Sequence, residues 1–142
     1  MNELSTQDLY NLLKLYKLKI NNICCKDEIK NHNGGWSIIN MDNAGNGGTH
    51  WVCFYKGNDN IYFDSFGVIA PTQIEDIIKP YTMSKKQLQD IRSNSCGWFC
   101  IFCIYWLQNR NNSLKDFNNF LAVFSDNTVI NEMLLIKFIK AL

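Results

Sequence analysis

The sequence predicts an α+β domain, and three observations carry that expectation. Two aromatic and β-branched runs, Trp51 to Tyr55 and Ile61 to Ser65, flank the turn-rich segment Lys56-Gly57-Asn58-Asp59-Asn60. Helical periodicity precedes them at Leu9, Leu12, Leu13 and Tyr16, and a later run from Cys96 to Gln108 is apolar nearly all round. The first pattern is a β-hairpin signature, the second an amphipathic helix, and the third a helix buried on every side. Helices layered against a hairpin-containing sheet, with the apolar helix at the centre, make an α+β architecture.

Taken in chain order, Ser5-Thr6-Gln7-Asp8 opens a helix over roughly residues 6 to 18, with Lys14, Lys17 and Lys19 facing water. Asn31 to Gly35 is turn-rich, and Trp36 to Asn40 reads as a buried strand. Asp42 to Gly48 holds three Gly and two Asn, which suit tight turns or close approach of a ligand, and this loop leads to His50. Beyond the hairpin, Thr72-Gln73-Ile74-Glu75 forms a capping box for a helix with Ile74, Ile77 and Ile78 on one face, and Pro80 stops it. Residues 81 to 95 are polar and irregular. Ser113 with Asp116 opens one helix after the central one, and Asp126-Asn127 leads into a last helix ending near Leu142. No repeat or low-complexity linker interrupts the chain, so residues 1–142 are expected to form a single domain.

Composition sets limits on function. A chain of 142 residues, 46% hydrophobic, has apolar material for one packed core. A net charge of +1 with dispersed Lys leaves no dense basic stripe of the kind that neutralises phosphates. The longest apolar stretch, Trp98 to Leu107, falls short of the ~20 residues of a membrane helix, and Met1 opens no signal-like region. The expectation is therefore a chain that neither spans a membrane nor is secreted. Six Cys without a signal peptide favour thiols over disulfides in a reducing compartment.

One of those thiols stands at a chemically distinctive place. A nucleophilic Cys works as thiolate and needs partial exposure, a nearby base and a positive electrostatic setting. Cys96 begins the central helix, behind the capping residues Asn94 and Ser95, so unpaired N–H groups and the positive dipole end point at its sulfur. Cys100 and Cys103 lie one and two turns deeper, where a thiolate would be desolvated. Taken alone, Cys96-Gly97 reads equally as a buried structural thiol.

The base has two candidates, since His50 and His32 are the only histidines, and His32 sits in a polar turn. Asp64 lies an even number of residues from His50, so an odd hairpin loop places both side chains on one face. A three-residue loop Lys56-Gly57-Asn58 sets them directly opposite, whereas a four-residue loop Gly57 to Asn60 puts them on opposite faces. An oxyanion also needs hydrogen-bond donors. The Cys96 backbone N–H supplies one, and either Gln89 or Gln87 is placed to supply a second.

The strings Gly47-Gly48-Thr49-His50-Trp51, Tyr62-Phe63-Asp64-Ser65-Phe66-Gly67, and Gln89 followed seven residues later by Cys96-Gly97 resemble the adenovirus-type processing proteases. The order His, Asp, Gln, Cys is also that of the related ubiquitin-like-protein proteases, and the resemblance covers roughly residues 5 to 110. It implies a permuted papain-like cysteine protease fold, with the nucleophile helix packed on a small, mostly antiparallel sheet. It further implies Cys96 as nucleophile, His50 as base, Asp64 as acidic partner and Gln89 as the oxyanion glutamine. The chain is shorter than the adenovirus enzymes and carries Asp where they carry Glu, although Asp is usual in the ubiquitin-like-protein branch.

By the same resemblance the substrate is a protein, most simply a viral capsid precursor cut after a Gly-containing motif during virion maturation, in the virion or the interior of the host cell. Adenovirus enzymes use a peptide activator, disulfide-linked to a Cys upstream of the oxyanion Gln, and DNA. Here no Cys lies between Pro71 and Ser95 and the charge is near neutral, so neither activator is supported and no cofactor or metal is expected. Trp51 beside the Gly-rich loop fits a narrow cleft for Gly, but a core position is the preferred reading and Trp51 is not counted as a site residue. Two other readings are a protease for ubiquitin-like modifiers and a non-catalytic thiol or metal-binding domain using Cys100 and Cys103 with Cys24, Cys25 or His32. The last is disfavoured by the helical, apolar setting of Cys100 and Cys103 and by the lack of a second Cys-x-x-Cys pair.

Overall fold

A computed structural model of the chain describes residues 1–30, 33–45 and 50–142. Among them are five α-helices, α1 Thr6–Leu15, α2 Thr72–Ile78, α3 Cys96–Gln108, α4 Leu114–Ala122 and α5 Thr128–Ala141. Five strands, β1 Asn22–Cys25, β2 Gly35–Asn40, β3 Trp51–Lys56, β4 Ile61–Phe63 and β5 Thr82–Met83, form one sheet in sequence order. The expected α+β class holds at this level.

Helix α1 opens on a reciprocal capping box, Ser5 Oγ accepting from the Asp8 N–H and the Asp8 carboxylate accepting from the Ser5 N–H. It ends sooner than its periodicity predicts, because Tyr16 caps it and Lys17 turns to φ 55°. The Ser113–Asp116 box of α4 and the Asn127 cap of α5 form where the sequence places them. The box expected at Thr72 does not. Pro71 is the N-cap of α2, its carbonyl taking the N–H groups of Ile74 and Glu75, so Thr72 already lies inside the first turn.

The sheet is mixed instead of mostly antiparallel. β2–β3 and β3–β4 are antiparallel, but both edge strands run parallel to their neighbours. β4 reaches β5 through α2, the crossover that a parallel pair requires. Neither edge strand was legible in the sequence: β1 buries only Ile23 and β5 is two residues long, so neither shows an alternating pattern.

The core lies on both faces of this sheet. On one, α3 packs against β3 and is enclosed by α1, α4 and α5, which buries nine of its thirteen residues. That enclosure is the reason its sequence is apolar on every side. On the other face, Ile74 and Ile78 of α2 pack with Ile39, Val52, Phe54 and Tyr62. No helix among the described residues is long and apolar enough to cross a membrane.

An aromatic cluster joins α3 to the C-terminal helices. Phe102 stacks on Phe138 with ring centroids 3.8 Å apart and meets Phe120 and Phe124 edge-on at 5.1 and 5.6 Å. Edge-on and offset pairs add to the area such rings bury. Phe102→Ala is therefore expected to cost about 3–5 kcal/mol by urea denaturation, whereas Leu15→Ala, at a 69% exposed position, should stay within about 0.5 kcal/mol.

Candidate active site

The hairpin brings His50 and Asp64 together by a route one step away from the simplest one. The register pairs Cys53 with Phe63 and Tyr55 with Ile61. Continued outward, it sets His50 across from Phe66 and Asp64 across from Val52, so His50 and Asp64 share a face as diagonal neighbours. The parity is that of an odd loop, but the loop is centred on Asn58, one residue beyond the Gly57 centre of the directly opposed arrangement, so each pairing partner shifts by two. Both residues stand just past the strand ends, although the His50 carbonyl still accepts the Met41 N–H at 2.8 Å. There His50 Nε2 lies 2.7 Å from Asp64 Oδ1.

The turn after Asp64 completes this arrangement. Asp64 Oδ1 accepts the Phe66 N–H at 2.8 Å, an Asx-type turn, and the Gly67 N–H returns to the Asp64 carbonyl. Gly67 has φ 74°, and a Cβ there would stand 2.8 Å from the Lys85 and Lys86 carbonyl oxygens, so glycine alone fits. The turn lays Phe66 on the His50 ring, with centroids 4.3 Å apart and planes within 15°. The sequence names Phe66 only as part of a motif; its place two residues after an Asp was the available signal.

Cys96 enters from α3 on the far side of the imidazole. The Asp64 carboxylate only accepts, which assigns the proton to Nε2 and leaves Nδ1 for the sulfur. Nδ1 is buried and makes no aligned hydrogen bond, yet Cys96 lies near enough to act on the ring electrostatically. Burial pulls the His50 pKa down, but Asp64 and the Cys96 sulfur outweigh it and raise it to about 9. The Trp51 backbone N–H also points at Cys96 Sγ, at 3.4 Å.

Cys96 is only 4% exposed, so the partial exposure expected of a nucleophilic thiol is not met. The indole N–H groups of Trp51 and Trp98 donate to the Leu4 and Asn2 carbonyls, which ties the N-terminal segment across the start of α3. Leu4 packs on Gly97, where an added Cβ would meet it at 3.2 Å. Trp51 belongs to the core, at 6% exposure, and also lines a cavity of about 630 Å³ together with Leu4, Ile23 and Asn40. The residues 46–49 of the neighbouring Gly-rich loop lie outside the described ones, as does His32.

Gln89 is fully buried, and its hydrogen bonds lead to the loop before Cys96. Its Oε1 accepts from Ser65 Oγ, while its Nε2 donates to the Ser93 carbonyl at 3.0 Å and to Ser93 Oγ at 2.9 Å. Gln87 instead donates to the Gln89 carbonyl. The structure thus joins His50 to Asp64 by a hydrogen bond and brings Cys96 within electrostatic reach of the ring, and it connects Gln89 to them through Ser65, which follows Asp64, and through the Ser93 to Ser95 loop.

The other thiols differ. Cys53, Cys100 and Cys103 gather between β3 and α3, and burial pushes all three pKa values up. Partial burial with nearby Glu28 raises Cys24 to about 11 and also raises Cys25. Only Cys25, with Asp27 and Glu28, falls in a group of closely spaced ligand-type atoms among the described residues. No family model and no curated protein matches the chain.

Two outcomes follow from this geometry. Iodoacetamide near neutral pH should modify Cys96 before the other five Cys, as read by peptide mass spectrometry; equal rates would remove its special setting. By NMR, His50 should titrate near pH 9, and Asp64→Asn should lower that midpoint. Because the folded value lies above the ordinary 6.5, the stabilisation that Asp64 gives is complete below pH 6.5 and is lost as pH rises through about 9.

Proposed function

We propose that the chain is a cysteine endopeptidase of the permuted papain-like kind. The observation that carries this reading is the convergence on one imidazole of a carboxylate from the β4 turn and a sulfur from the start of α3. A base held by its orienting group on one nitrogen and open to a thiol on the other is what nucleophilic activation requires.

In this mechanism His50 Nδ1 already holds the proton drawn from Cys96 near neutral pH, as a pKa of about 9 requires, and Asp64 stabilises that imidazolium. The thiolate attacks the scissile carbonyl carbon, and its oxygen becomes the oxyanion. The Cys96 backbone N–H and Gln89 Nε2 are the donors for it, the latter by releasing one hydrogen from Ser93. Collapse of the tetrahedral intermediate breaks the C–N bond, and His50 gives its proton to the departing amine. Water, deprotonated by His50, then hydrolyses the thioester and restores the thiol.

The substrate class proposed is a protein precursor cleaved after a Gly-containing motif, with viral capsid precursors as the reading that the resemblance supports.

The test is cleavage of a co-expressed capsid precursor by Cys96→Ala and Cys100→Ala variants. The first should lose activity by at least about a thousandfold, and the second should keep it. An active Cys96→Ala protein, or loss at Cys100 alone, would overturn the assignment. The alkaline limb of the pH–rate profile should fall near pH 9, where His50 loses the proton it gives to the amine, and Asp64→Asn should move that limb to lower pH.

A further inference from the structure

The sequence places Ser95 as the cap of α3, but its side chain makes no cap hydrogen bond. Its hydroxyl instead donates to Glu132 Oε2 of α5 at 2.7 Å, across 37 residues of chain, and Ser95 is wholly buried. Ser95 Oγ also lies 3.0 Å from Ser93 Oγ, which in turn faces Gln89 Nε2. One continuous chain of hydrogen bonds therefore runs from Ser65 through Gln89, Ser93 and Ser95 to Glu132.

Proton counting gives this chain a direction. A carboxylate accepts and does not donate, and a serine hydroxyl has one proton. Ser95 must spend its proton on Glu132, so the bond between the two serines is donated by Ser93. Ser93 Oγ is then left as an acceptor, and the group facing it has to be a donor. The Gln89 amide consequently turns Nε2 towards the Cys96 loop and Oε1 towards Ser65. The Ser93 carbonyl favours the same orientation. With an uncharged residue able to donate at 132, the serine pair could run either way, and that carbonyl alone would hold the amide.

Helix α5 grips this segment at a second point. Asn131, fully buried beside Glu132, donates Nδ2 to the Leu88 carbonyl at 3.1 Å and is itself fixed by the Ser125 backbone. Consecutive residues of one helix thus anchor the backbone just before Gln89 and the hydroxyl just before Cys96.

We propose that Glu132 is a positioning residue: through Ser95 and Ser93 it fixes the polarity of the chain that presents the Gln89 N–H groups on the Cys96 side. The inference rests on the peptidase reading for its effect on rate, but not for the orientation of the amide. Glu132→Gln keeps the size of the side chain and removes its exclusive acceptor character. Loss of a whole oxyanion donor costs on the order of 10²–10³ in kcat, so flipped molecules are nearly inactive and kcat falls with the fraction still correctly oriented, by about two- to tenfold in Glu132→Gln. KM should change by less than about twofold, and the rate of Cys96 alkylation should stay the same, since neither depends on an oxyanion donor.

The decisive comparison is a double-mutant cycle on the full chain, with a peptide substrate cleaved by the unmodified protein. In a Gln89→Ala background, Glu132→Gln should produce no further loss, because both changes act through one group. Additive losses, or an unchanged kcat in the single variant, would overturn the proposal. Side-chain amide NMR of Gln89 tests it without substrate: Glu132→Gln and Ser95→Ala should both shift the Nε2 proton resonances, and resonances that stay in place would overturn it even if no peptide is cleaved. Should Cys96→Ala cleave as well as the parent, the peptidase reading fails while the amide shifts still decide the role of Glu132.

Discussion

Helix α3 has no polar face, and that constraint organises the molecule. A helix of this kind is stable in water only when covered on all sides, and here the sheet supplies one wall while α1, α4 and α5 supply the others. Each wall also contributes to the site at the helix start. The sheet delivers His50 and Asp64, the segment before α1 lies over Gly97, and α5 reaches the loop that holds Gln89. Burying the helix and assembling its N-terminal end are thus one act of folding.

Electrostatics at that end come from complementary placements more than from charge. Asp64 is buried beside an imidazole and a backbone N–H, which compensates its desolvation. The sulfur meets the Trp51 N–H and the first turn of α3. The five remaining thiols lack this setting, and their raised pKa values follow from burial or from neighbouring carboxylates. A cysteine-rich chain can in this way keep a single thiol chemically distinct.

Much of this was legible in the sequence because it depends on local rules. The Ser5 and Ser113 capping boxes, the hairpin and the apolar run of α3 declare themselves within a few residues of each other. The parity that joins His50 to Asp64 was legible too, though the centring of the loop was not, since Lys56 to Asn60 permits more than one turn. What stayed hidden was decided by partners distant in sequence. β1 is a strand because β2 lies beside it, and Thr72 yields its cap to Pro71. Ser95 obeys the cap rule in position and breaks it in bonding, because Glu132 offers its hydroxyl a charged acceptor.

The stacked Phe66 carries a last implication. With Nε2 tied to Asp64 and one ring face covered, turning the imidazole over would cost both contacts. Whatever enters at Nδ1 must leave from Nδ1, on the side of the sulfur. The imidazole is thereby a one-door carrier, with a single ring nitrogen left to exchange a proton.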